Sequence, residues 1–400
     1  MRLGPTASFY LLASIILFFL AGSSAPTPLY AVYQAHWGFS PITVTLVFGI
    51  YALAVLAMLL VVGSLSDYVG RRPVLIVATI VQAVTMVVFA TAHGVPALIV
   101  ARILQGLATG AAAGAVGAGM LDLDRAKGTT ANAIAPMLGT ATGALLAGLL
   151  VELLPAPTVT VYVVLAAIYV IQLAGVLAMP ETATRQPGAL ASLRPHLRVP
   201  ARIKPTLWIA APALVSAWAL AGFYGSLGPM LVRRLLSSQS VILGGLTLFV
   251  LAASGATAVY LTRTRAARGV LTFGTAALVA GVALTLAAIP AQSAIVFFAG
   301  AVIAGCGFGG AFQGAIRMVL PQAQPHERAG VLSIIYIIAY LSMGLPAVLG
   351  GVRFVHGGGV FTTAREYGVA VIALALVALV GALIQRVPAT ILQPVPVRRQ

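Results

Sequence analysis

One arginine in this chain has no place in a loop. Arg102 lies within an apolar run, and Gln105 follows three residues later, so on a helix the two share nearly one face. The guanidinium is a planar fork of five donors that is always charged. It suits a carboxylate or phosphate, or it gathers neutral acceptors into a polar network. About seven helical residues separate it from the end of its run, which puts it on the order of 10 Å deep at ~1.5 Å per residue. A charge at depth costs at least ~2.5 kcal/mol, so Arg102 should face a polar cavity or a partner. The competing reading is a side chain that snorkels to the interface. Other polar or aromatic groups inside apolar runs are candidate cavity residues with it: Thr27, Tyr30 and Tyr33, Trp218 and Tyr224, Gln313, and Tyr336 and Tyr340, which stand four apart. Helix packing or an interfacial position competes with solute contact for each of them.

The acidic residues make a contrasting pattern. Asp67, Asp122, Asp124, Glu152, Glu181, Glu327 and Glu366 all fall in loops or at predicted helix ends. Arg102 can therefore be expected to organise Gln105 with Tyr30, Tyr33 or Glu152. A cavity with an arginine and no anion argues against a strictly cation-selective pump. Paired catalytic groups are missing, so an enzyme is not expected. Cys306 stands alone and precludes an intramolecular disulfide. The five histidines (36, 93, 196, 326 and 356) fall in or near loops, and no metal site is expected. Residues 305 to 310 fit G-x-G-x-x-G, but they sit inside an apolar run with no strand before them. With no P-loop either, no bound cofactor is expected.

The elements that position these groups follow from composition. Of 400 residues, 60% are hydrophobic and 8% charged, and the mean hydropathy is +1.06; soluble domains carry about 25% charged residues. Apolar runs about 20 residues long predict spanning helices rather than barrel strands. The runs are 8–31, 41–62, 74–92, 95–118, 129–151 and 159–179, then 207–230, 240–260, 270–289, 292–317, 330–352 and 368–386. The fold class is thus an all-α membrane protein of twelve transmembrane helices in two six-helix halves. The halves are residues 1–179 and 207–386, with a basic linker at 180–206 and a tail at 387–400. An apolar N-terminal run ending in Ala21–Ala25 is similar to a cleavable signal peptide, but its removal would break the even helix count.

The net charge of +16 would suggest nucleic acid in a soluble protein; here it reports topology. Among the 23 Lys and Arg, only Arg233, Arg234, Arg353 and Arg365 fall on one side, with Arg102 inside. The positive-inside rule then places both termini and the linker in the cytoplasm, in a multi-pass protein of the plasma (inner) membrane. Trp37 and Trp208 fall at predicted helix ends, as interfacial aromatics do. The expected partners are membrane lipid and a small-molecule substrate, and a monomer is expected. Two six-helix halves suggest a secondary transporter with a solute site between them.

A loop between the second and third runs carries Gly63, Leu65, Asp67, Gly70, Arg71 and Arg72 in one string. Gly70 permits a turn, Asp67 places an anion at a helix end, and the arginines anchor the basic side. The string also matches G-x-L-x-D-x-x-G-R-R at every fixed position, and in this the chain resembles the major facilitator superfamily of transporters. Arg102-x-x-Gln105-Gly106 resembles a second pattern of that family. Gly139, Gly143 and Gly148 resemble its antiporter signature, with alanine at 144 and 147; a plain small-residue packing face explains them equally. The equivalent loop of the second half, 261–270, lacks the aspartate. The resemblance implies alternating access, with Asp67 of the gating loop docking near residues 328–332 in the outward-facing state. It implies proton-coupled export by antiport, of the drug or sugar efflux type. Proton-coupled uptake of a small anionic metabolite is the alternative that suits Arg102, and a non-transporting receptor is the alternative from another class.

Overall fold

The computed structural model describes residues 2–195 and 197–384. The expected tail at 387–400, the arginines at 386, 398 and 399, and His196 lie outside the described residues. Within them the chain is helical and has no strand. Twelve long helices follow one another: α1 (Pro5–Trp37), α2 (Pro41–Val62), α3 (Arg71–Ala90), α4 (Val95–Leu123), α5 (Arg125–Leu153) and α6 (Pro157–Ala178), then α7 (Lys204–Ser226), α8 (Val241–Leu261), α9 (Ala267–Ala291), α10 (Ala294–Val319), α11 (Arg328–Arg353) and α12 (Gly359–Ile384). Helices are the natural solution in lipid because they satisfy every backbone polar group internally. The last two form one helical stretch, Arg328–Ile384, broken where Gly357 and Gly359 take φ of +103° and +60°. Only glycine adopts those angles without strain.

Several helices outrun their apolar segments. Helix α1 continues past residue 31 to Trp37, in two segments that meet at Ala25, because Pro26 and Pro28 occupy the first turn of the second segment, where missing donors cost little. Helix α12 begins at 359 rather than 368, because Arg353 and Glu366 pair outside the apolar run through two bonds of 2.8 Å. Helices α4 and α5 nearly touch in sequence; Asp124 accepts from the Lys127 amide and caps α5. An apolar run measures the membrane, whereas helix length is set by caps and turns.

Two cores account for most buried side chains. One gathers residues between Phe9 and Met179, the other residues between Ile203 and Ala382, joined by Met137 and Ala144 of α5. Between them lies a small seam cluster of Phe48, Ala52, Met343 and Ala347. Outward-facing Ile171 and Ile295, 72% and 83% exposed, are part of the lipid-facing belt. Glycines let backbones meet. Gly106, Gly110 and Gly114 face α2, and Gly139 and Gly143 face the backbone of α1 at Leu17 and Ala21. The run from Gly305 to Gly310 is likewise a packing surface of α10 against α8 and α9, which excludes a phosphate loop.

Loops at 63–70, 124, 180–195, 197–203, 262–266 and 320–327 form the basic face. The opposite, charge-poor face carries 38–40, 91–94, 154–156, 236–240 and 354–358.

Candidate functional site

Helix α4 brings Arg102 fully out of solvent. Its Nε donates to the Tyr30 hydroxyl at 2.9 Å and its Nη2 to the same oxygen at 2.6 Å. Its Nη1 donates to the Ser23 carbonyl at 2.7 Å and to Gln105 Oε1 at 2.6 Å. Gln105 in turn donates to the Gly22 carbonyl at 2.9 Å. These acceptors lie on either side of the bend in α1, and the bend turns Tyr30 toward α4. The guanidinium also lies 5.2 Å from the ring centroid of Tyr51 and 5.9 Å from that of Phe89, within cation–π range. All its partners are neutral. A snorkelling side chain is thereby excluded. Tyr51, on α2, was not singled out from sequence, because one tyrosine among apolar residues has no periodic signature.

The cavity candidates fall in separate parts of the fold. Trp218 of α7 stands at the seam, edge-on to Phe308 and Phe312 of α10 at 6.0 and 5.2 Å, and tilted against Tyr340 of α11 at 5.3 Å. Its ring nitrogen has no hydrogen-bond partner. Tyr336 lies 6.4 Å from Tyr340, and both are half-buried, as is Gln313 on α10. Trp218 and Tyr340 also pack on the seam cluster, whose Phe48 and Ala52 flank Tyr51. An aromatic surface of the second half thus approaches the Arg102 and Tyr51 surface of the first.

Two expectations are corrected, those for Tyr33 and Tyr224. Tyr33 does not join Arg102: its hydroxyl donates to Tyr162 at 3.1 Å and its ring stacks on Trp37, because it faces the interior of its own half. Tyr224 meets Thr285 at 3.3 Å and stacks on Phe297, turned away from the seam. Thr27 lies in the contact between halves, donating to the Gly225 carbonyl at 3.3 Å.

Between α2 and α11 the halves meet toward the charge-poor face, and between α5 and α8 they meet from that face to beyond the helix midpoints. Thr45 covers Gly351, Gly49 lies against Val348, and Phe48 packs on Gly225. Glu152, also separate from Arg102, closes this side. Its Oε2 accepts from the Ser240 hydroxyl at 2.7 Å and from the Val241 and Ile242 amides at 3.1 Å each. The carboxylate of α5 thus caps the N-terminus of α8 across the seam.

On the basic face, among the described residues, no hydrogen bond joins α1–α6 to α7–α12. Asp67 pairs with Arg71, whose Nε donates to Asp122 at 3.2 Å and whose Nη1 donates to Ser66 at 2.9 Å. Glu181 accepts from the Arg71 and Arg72 amides at 2.7 and 3.0 Å. Gly70, at φ +99°, makes room for this carboxylate, whose oxygen would lie 2.5 Å from an added Cβ. Gly63 and Leu65 shape the preceding turn, with Tyr68 donating to the Leu65 carbonyl. In this structure Asp67 pairs with Arg71 inside its own half and Arg328 turns to the Ala323 carbonyl; docking near residues 328–332 is an expectation for the outward-facing state. Glu181 and Asp122 were missed as partners because they are remote in sequence.

Helix α5 places Gly139 and Gly143 against α1, and Gly148 against Ile242 of α8, 3.2 Å from an added Cβ.

The family model of the Major Facilitator Superfamily matches residues 11–347. A mutant of the nucleoside transporter NupG aligns with a TM-score of 0.72 at 14% identity, over 94% of this chain and 100% of that one. The human organic anion transporter MFSD10 (TETRAN) aligns with a TM-score of 0.66 at 16% identity, over 94% and 100%.

Proposed function

The chain belongs to the major facilitator superfamily, and on that premise we propose that this secondary transporter moves a small organic solute by alternating access and exports it in exchange for protons. The family match sets aside the non-transporting receptor. The family and the matched structures are transporters rather than enzymes.

The observation that carries this reading is the one-sided seam between α2 and α11. Contacts of α2 with α11 gather toward the charge-poor face, while α5 and α8 stay packed from Gly148 and Ile242 to Met137 and Gly255. Trp218, Tyr340, Phe308 and Phe312 stand behind the α2–α11 contact on the way to the basic face. With the basic face in the cytoplasm of the plasma (inner) membrane, this is the arrangement of a cytoplasm-open transporter. Aromatic side chains offer large apolar area with fixed geometry, so the solute is proposed to carry a ring or a comparable apolar body. The glycines of α5 support exchange only through their likeness to the antiporter pattern.

A second reading, proton-coupled uptake of a small anionic metabolite, is favoured by one observation: the charge of Arg102 meets only neutral acceptors. Proteoliposomes with an imposed pH gradient test both. Labelled aromatic solutes should move against their gradient with wild-type protein and lose that movement with Trp218→Ala. Under the export reading, Arg102→Ala retains binding and loses the pH dependence of flux. Under the uptake reading it loses affinity for the anion. No solute movement coupled to the gradient in either direction would refute both.

A further inference from the structure

The charge-poor face carries two adjacent cations that, among the described residues, have no ion-pair partner. Arg233 and Arg234 end the short helix Gly228–Leu235 that extends α7 across the mouth of the seam. They line a half-open cleft of about 690 Å³ with Gln34, Gln239, Met230 and Phe354. Arg233 also borders a smaller, half-open space lined by Thr27 and Tyr30, so it stands between the outer cleft and the Arg102 network. Its Nε is buried and has no hydrogen-bond partner. Burial first, and then the charge of Arg234, hold its pKa below the usual guanidinium range.

This face has two carboxylates, and both are engaged elsewhere. Glu152 is held by Ser240 and the start of α8, and Glu366 is held by Arg353 through two bonds. Bidentate pairing of that kind is what an arginine fork favours. Arg233 has the same fork and no oxyanion to receive it. Pro41, Met230 and Phe354 add apolar lining beside the polar Gln34, Ser237, Ser238 and Gln239. The volume falls within the ~300–1,000 Å³ range of small-molecule sites.

We propose that this cleft is a binding site for a small organic anion, a carboxylate or phosphate on an apolar body, with Arg233 as its recognition group and Arg234 at its mouth. The site spans the seam, since Gln34 and Pro41 come from one half and Met230, Arg233 and Phe354 from the other. An occupant therefore contacts both halves on the closed side. The proposal concerns binding and is independent of the direction and coupling of transport.

The test uses the full chain in nanodiscs of zwitterionic lipid, titrated with benzoate, inorganic phosphate and, as the neutral counterpart, benzamide, with thermal stability as the readout. Benzoate should raise the melting temperature saturably, and phosphate less so, while benzamide leaves it unchanged. Arg233→Gln should weaken the apparent benzoate affinity about tenfold or more. Arg365→Gln, on the same face but outside the cleft, should leave it unchanged. Gln239→Glu, at an exposed position, should also abolish benzoate binding by putting a competing carboxylate on the cleft wall; it decides the matter if Arg233→Gln does not fold. Equal benzoate shifts in wild type, Arg233→Gln and Gln239→Glu overturn the proposal, as does an equal response to benzamide. Stabilisation that requires anionic lipid and is absent with benzoate and phosphate assigns the cleft to a lipid headgroup and also overturns it.

Discussion

Removing the Glu152 carboxylate should release the closed side of the transporter. Three donors from α8 and the residue before it converge on one oxygen, at 2.7, 3.1 and 3.1 Å. Because Glu152 is exposed, solvent competes for all three, and the low end of each contribution applies. An anion at an exposed helix N-terminus stabilises by ~0.3–1 kcal/mol, and a net hydrogen bond to a hydroxyl adds ~0.5–1.5 kcal/mol. Together these give about 0.8 kcal/mol in favour of the closed side, a factor of roughly 4 in population. Glu152→Ala should shift the equilibrium by that factor, and Glu152→Gln, which keeps an acceptor but not the charge, by less. Spin labels at His93→Cys and Ala291→Cys, one in each half on this face, with Cys306→Ala in the background, would report the change as a growing long-distance population. A double-mutant cycle with Ser240→Ala should show coupling of ~0.5 kcal/mol or more. An unchanged distance distribution in Glu152→Ala would refute the reasoning, since the apolar seam around Phe48 and Met343 would then be closing this side alone.

The other predictions test the remaining supports. Arg102→Lys keeps the charge but loses the planar fork that reaches Tyr30, Ser23 and Gln105 together; flux in proteoliposomes should fall at least about tenfold, nearly as far as in Arg102→Ala, since each charged hydrogen bond is worth ~1.5–3 kcal/mol, and wild-type flux in the lysine variant would contradict the network. Gly143→Ala drives a methyl into the α1 backbone at Ala21, and overpacking of this kind costs ~1–3 kcal/mol; its melting temperature should drop, whereas Gly269→Ala, with nothing within 4 Å, serves as the unaffected control. On the basic face, the Arg202 guanidinium and the Gln324 amide hold the Glu327 carboxyl below the usual carboxylate range. Its contribution is therefore present above the ordinary glutamate pKa and is lost as pH falls through the depressed folded value; Glu327→Gln should flatten the acid limb of a stability-versus-pH curve between neutrality and pH 3, and an unaltered limb would count against the pairing.

What could be read in advance follows the physics of each signal. Run length and the asymmetry of basic loops report membrane thickness and the positive-inside rule, so the twelve helices were legible, while the ends of α1 and α12 were not, because they lie beyond the apolar runs. The spacing of Arg102 and Gln105 was legible as one helical face, and both side chains do turn to the carbonyls of α1. Tyr30 and Tyr33 were indistinguishable, since they stand three apart just past Pro26 and Pro28; only the path of α1 sends one to Arg102 and the other to Tyr162.

The same limit explains Glu152 and Arg233. A charged group at a membrane boundary is cheap to solvate, so its type and position do not reveal whether it has a protein partner. Glu152 finds three donors across the seam, and Arg233 Nε finds no acceptor among the described residues. That difference comes from tertiary contact alone, and it gives the charge-poor face its character. Its two carboxylates are spent on a clasp and on a bidentate ion pair, which leaves the cations over the seam uncompensated. An anion entering there would add attraction between the halves on the side Glu152 already holds shut, so the two features should act in the same direction: occupancy of the cleft should oppose the opening that Glu152→Ala produces.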